Sequence, residues 1–83
     1  MKLWLVILIF GEIAATVGPL PYDMQECVWR AADLAREADE IFASGRMDDQ
    51  LVKGKHVTRS DLVHECRYAV IRPREPGREY VKP

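Results

Sequence analysis

With 83 residues and a formal charge of −1, from 12 bases against 13 acids, the chain holds one domain at most and carries no global field that would draw it to nucleic acid or an anionic membrane. A chain this short buries a small core and calls for a staple or a partner. Its two cysteines, Cys27 and Cys66, contain no CxxC pair, which weighs against the usual four-ligand zinc frameworks. Charge is unevenly spread. Residues 24–43 hold five acids against two bases, and residues 44–83 hold nine bases against six acids. This is the pattern of a solvated surface, or of a modest dipole that steers a partner.

The N-terminus offers two main readings. Leu3–Phe10 (LWLVILIF) is apolar and rich in β-branched and aromatic residues, which suits a strand. Gly11-Glu12 fits a two-residue type II′ turn, and Ile13–Val17 returns as a second strand before Gly18-Pro19 and Pro21. Alternatively, Lys2 and Leu3–Phe10 are the start of a secretory signal, ending after Ala15. Glu12 interrupts that pattern where a cleavage region would begin. A membrane anchor is the weakest reading, because a spanning helix needs about 20 apolar residues. The hairpin has one difficulty. Leu3, Leu5, Ile7 and Ile9 face one way while Trp4, Val6, Leu8 and Phe10 face the other, and one helix covers only one face.

Asp23 is a good N-cap, with Glu26 placed to complete a capping box. Met24, Cys27, Val28, Ala31, Ala35, Ala38 and Phe42 then recur with a 3.6-residue period, widened by Leu34 and Ile41, which predicts a helix over Met24–Ala43. Gly45 follows as a C′ residue. Residues 44–60 are polar, with a turn signal at Lys53-Gly54-Lys55 and room for a short strand at Leu51–Val52 or His56–Thr58. Asp61–Arg72 reads as a strand, although Thr58 with Asp61 could instead cap a short helical turn at its start. Proline and charge from Pro73 onward predict a flexible tail over residues 73–83.

The stretch Leu3–Cys27, above all Gly18-Pro19-Leu20-Pro21-Tyr22-Asp23-Met24-Gln25-Glu26-Cys27, resembles small uncharacterised proteins of proteobacteria and their prophages. Those chains share an apolar start, a turn, a cysteine early in a helix and a second cysteine in a late strand. The resemblance favours the hairpin reading and implies no activity.

Cys27 lies on the apolar stripe of the helix and Cys66 lies mid-strand, so the two form a disulfide candidate closing a loop of about 40 residues. Two buried free thiols are the alternative in a reducing compartment. Cys27 as a thiolate with His56 or His64 as base, and a metal held by these histidines and a cysteine, both lack any orienting group in sequence. Lys53-Gly54-Lys55 lacks the rest of a phosphate loop. The tail bases are interleaved with Glu75 and Glu79, which disfavours nucleic acid. Trp29 falls off the apolar stripe near Asp33, Arg36 and Glu40. It marks a contact surface, unless the 44–60 segment folds over it.

These readings converge on an α+β domain over residues 1–72, of order β-β-α-β, with one amphipathic helix on a short antiparallel sheet. No catalytic, cofactor or metal site is expected. The expected function is that of a small non-enzymatic accessory or interaction protein, phage-related by resemblance. The alternative is an exported, disulfide-stapled envelope protein acting as a binder or inhibitor. The cytoplasm is slightly favoured; a signal over residues 1–15 would place the chain in the periplasm or outside. The partner is a protein or a second copy, meeting Trp29 and Arg36 or the uncovered sheet face of Trp4, Val6 and Leu8.

Overall fold

The computed structural model describes residues 1–74. The elements are β1 (Lys2–Ile9), β2 (Glu12–Val17), α1 (Met24–Ala43), β3 (Leu51–Val52), β4 (Lys55–His56), a 3-10 turn (Arg59–Asp61) and β5 (Leu62–Ala69). This is the expected α+β arrangement with one addition: β3 and β4 form a separate two-stranded hairpin inside the 44–60 stretch. Its turn is Lys53-Gly54, both at positive φ. The main sheet has the order β2-β1-β5 and is antiparallel throughout.

The apolar N-terminal run is thus the central strand. The turn after it falls one residue earlier than expected. Ile9 pairs with Glu12, so the loop is Phe10-Gly11. Positive φ at both residues is the sign pattern of a type I′ turn. A bulge follows. Ile7 pairs with Ala15 but Leu8 pairs with Ile13, which leaves Ala14 unpaired on β2. At Gly18 (φ +144°) an added Cβ would lie 3.0 Å from the Trp4 ring and 3.1 Å from the Leu3 carbonyl. Only glycine fits there.

α1 starts and stops as its caps dictate. The Asp23 carboxylate accepts the Glu26 N–H at 3.0 Å. The reciprocal half of the expected capping box is not formed, because Glu26 turns its carboxylate to Arg30 at 2.9 Å. Ser44 caps the C-terminus, and Gly45 follows at φ +83°. One sheet face, here face A, carries Leu3, Leu5, Ile7 and Ile9 of β1 beside Tyr68, Cys66, His64 and Leu62 of β5. Leu3, Leu5 and Cys27 are the buried centre there, packed by Leu20, Tyr22, Met24, Ala31, Leu34 and Cys66. The helix therefore turns its Leu34 edge inward, and Val28, expected on the buried stripe, is left 52% exposed.

Cys27 and Cys66 form a disulfide with Cα atoms 6.2 Å apart. It ties the first turn of α1 to the middle of β5, within the separation such a bridge allows.

The second face, face B, corrects an expectation. Trp4 and Val6 are 4% and 0% exposed, and Leu8 and Phe10 are half-buried. The chain after β5 crosses this face. The Trp4 Nε1–H donates to the Ala69 carbonyl at 3.0 Å, the Arg72 guanidinium lies 5.1 Å from the Trp4 ring centroid, and the Thr16 hydroxyl donates to the Pro73 carbonyl at 3.1 Å. The strand expected to run to Arg72 thus ends at Ala69, and residues 70–73, including Pro73 of the expected tail, belong to the folded body. Residues 75–83 of the expected tail lie outside the described residues.

Candidate functional site: the open edge of β5

The sheet has two edges, and they differ. On β2, the Thr16 and Gly18 carbonyls accept from the Arg72 guanidinium at 2.8 and 3.2 Å, and the Ala14 bulge interrupts the same strand. Both are devices that close an edge to further pairing. On β5 the hydrogen-bond phase can be read from its start. Phe10 N–H donates to the Asp61 carbonyl at 3.1 Å, one step before the Ile9–Leu62 pair. Bonded and non-bonded pairs alternate in an antiparallel ladder. Val63, Glu65, Arg67 and Ala69 therefore point their backbone groups at β1, and Leu62, His64, Cys66 and Tyr68 point theirs outward. Leu62 supports this phase: its carbonyl accepts from Arg59 Nη1 at 2.9 Å, and its N–H donates to the Arg59 carbonyl. The outward groups of His64, Cys66 and Tyr68 have no hydrogen-bond partner among the described residues.

A groove runs beside this edge. Val28, Ala31, Ala32 and Ala35 of α1 line one wall, and Leu62, Val63, His64 and Arg59 line the other, enclosing about 340 Å³. Small side chains on α1 keep it open. Arg59 closes one end: its Nε donates to Asp39 Oδ1 at 2.6 Å and its Nη2 to the Ala35 carbonyl at 3.1 Å. Trp29, next to Val28, is 60% exposed. The 44–60 segment does not cover it, and the hairpin instead meets the tip of β1–β2, where Lys53 pairs with Glu12 and Lys55 lies 5.4 Å from the Phe10 ring centroid.

The residues singled out from sequence separate accordingly. Trp29 and the half-buried Leu8 keep exposed surface, while Trp4 and Val6 present none. Arg36 is exposed and bound to Asp33 at 2.9 Å, and it is not part of the groove lining. The edge and groove residues Val28, Ala32, Ala35, Val63 and His64 were not read from sequence as a surface. The alternation of His64, Glu65, Cys66 and Arg67 was the available signal, since charges set into an apolar strand mark a sheet edge.

The sulfurs of Cys27 and Cys66 are joined to each other, so in this oxidised form neither is a thiolate. No group of three or more His, Cys, Asp or Glu among the described residues is placed to hold a metal ion. No described helix is long and apolar enough to cross a membrane.

His64 is the titratable group of the groove. Burial, with the nearby Arg59 charge, lowers its pKa below the ordinary histidine value. The unfolded chain therefore takes up this proton more readily than the folded one. The stability linked to neutral His64 is present above the ordinary value and is lost as pH falls through the lowered one. Urea midpoints measured from about pH 7.5 down to about pH 5 should fall more for the wild type than for His64→Gln. Parallel curves would show that His64 titrates freely.

Comparison with known proteins gave no match among protein families, curated proteins or solved structures.

Proposed function

We propose that this chain is a small non-enzymatic interaction protein that works through the β5 edge and its neighbouring groove. The observation that carries the reading is the contrast between the two sheet edges. β2 is capped by Arg72 and bulged at Ala14, whereas β5 is unbulged over its pairing with β1 and flanked by exposed Val28, Trp29 and Val63. Unpaired backbone groups beside an apolar groove are the requirements of strand addition. Backbone bonds supply affinity in that mode and side-chain pockets supply choice of partner.

The test is photo-crosslinking in the protein's own cell, with a photoreactive residue at Val63 in one strain and at the exposed Asp49 in another. The reading expects a discrete adduct from position 63 that position 49 does not give. It fails if position 63 gives no adduct, or if both positions give the same set.

The Cys27–Cys66 bridge favours a second reading, an exported and disulfide-stapled binder or inhibitor, because such bridges persist in oxidising compartments. β1 is the central strand, so this reading needs an exported chain that keeps residues 2–9. Alkylation of the protein taken directly from cells tests it. Two free thiols would sink the exported reading and leave the first one standing.

A further inference from the structure

Resting on that reading, we infer that the occupant of the β5 edge is a second copy of this chain, paired antiparallel β5 to β5 about a two-fold axis at Cys66. The argument is one of phase and charge. Antiparallel pairing of a strand with its own copy is symmetric, so only a few registers are open. The unbonded outward groups belong to His64, Cys66 and Tyr68. An axis at Cys66 sets Cys66 opposite Cys66 of the second copy and His64 opposite Tyr68. All of these outward groups are then used, each facing pair exchanging both backbone bonds.

The same register decides the charges. It places Glu65 opposite Arg67 of the second copy, twice by symmetry, in the closely spaced non-bonded pairs where side chains interact most strongly. Within one chain Glu65 and Arg67 already meet at 2.8 Å on face B, so the dimer would join four charges of alternating sign. The neighbouring registers are worse. An axis at Glu65 sets glutamate against glutamate, and one at Arg67 sets arginine against arginine. An axis at His64 sets Cys66 against Leu62, whose outward groups Arg59 already holds. An axis at Tyr68 sets Cys66 against Val70, beyond the strand's end. Charges on an edge strand ordinarily discourage pairing. Here their order permits one self-pairing and opposes its neighbours.

The groove fits the same occupant. A two-fold axis perpendicular to the sheet puts both copies of α1 on face A, one on each side of the new β5–β5 seam. α1 packs more closely on β5 than on β1, so the second helix arrives beside the groove. Helices pack about 8–10 Å apart, and Ala32 and Ala35 on the groove wall allow that approach. Val28, exposed in the single chain, lies on the same wall.

Sedimentation velocity of the full-length, disulfide-intact chain tests this. The wild type is expected to form a dimer in a concentration-dependent way. Glu65→Arg alone and Arg67→Glu alone each put like charges in both facing pairs, and each should weaken dimerisation roughly 10- to 30-fold. A one-to-one mixture of the two variants should recover the dimer, because arginine at 65 then faces glutamate at 67 across the seam. Circular dichroism checks that each variant is folded. Should either fail to fold, Glu65→Gln replaces it, with an expected weakening of roughly threefold. A wild type that stays monomeric up to about 1 mM, variants that associate like the wild type, or folded variants that do not combine would each overturn the inference. If the position-63 crosslink joins a different protein and the wild type is a monomer, the self-pairing falls and the interaction reading stands.

Discussion

Reduction of the Cys27–Cys66 bridge is expected to remove a third or more of the stability of this domain. The bridge closes a loop with a sequence separation of 39. In the chain-entropy account, fixing that loop stabilises the fold by about 4 kcal/mol. The whole stability of a domain this small is roughly 4–12 kcal/mol at typical values per residue. Cys27 is also at the centre of the core, 1% exposed between Leu3 and Leu5, so replacing it adds a packing cost to the lost constraint. Urea unfolding of the oxidised chain, the reduced chain and the Cys27→Ser, Cys66→Ser double variant would measure this. The expected order of midpoints is oxidised first, then reduced, with the double variant at or below the reduced chain. Equal midpoints for oxidised and reduced protein would show that the core holds without its staple.

The two tryptophans should separate cleanly. Trp4 is buried on face B, its ring stacked under Arg72 and its N–H bonded to Ala69. Trp4→Ala removes a large side chain, orphans the Ala69 bond and releases residues 70–73, and is expected to cost about 3–5 kcal/mol. Trp29 is 60% exposed, and Trp29→Ala should shift stability by less than about 0.5 kcal/mol. Acrylamide quenching of the single-tryptophan variants adds a second check: Trp29 should be quenched freely and Trp4 protected. The reverse pattern would mean that face B is open and that the crossing by residues 70–73 does not form in solution.

Local rules carried much of the fold from sequence. The helix boundaries follow from Asp23 and Gly45, and the hairpin follows from an apolar run beside a glycine turn. The meeting of Cys27 and Cys66 follows from two apolar faces that share one core. The missed features depend on what lies across the sheet. Ile13-Ala14-Ala15 has no alternation of polarity, so nothing in it marks Ala14 as the bulged residue. Type I′ geometry put Phe10, rather than Glu12, beside Gly11 in the turn, because the register on β1 set the loop. Asp61–Arg72 reads as one strand, yet β5 ends at Ala69 and Arg72 leaves the ladder to find both an aromatic face on Trp4 and two carbonyls on β2. That contact between distant segments accounts for the apolar surface around Trp4 and Val6, which the sequence alone leaves uncovered and which is buried in the fold. The site was less legible than the fold. Val28 sits on the predicted stripe, and its exposure follows from the roll of α1 toward Leu34, which the periodicity alone does not set.

The central claim is that β5 presents an open edge, and amide hydrogen exchange resolved by residue tests it most directly. At the lowest workable concentration, Val63, Glu65, Arg67 and Ala69 should exchange slowly, because their N–H groups donate to β1. His64, Cys66 and Tyr68 should exchange fast in the same sample. Slow exchange at His64, Cys66 and Tyr68 in the dilute chain, or an alternation of opposite phase, would mean that the chain closes its own β5 edge and would contradict the account.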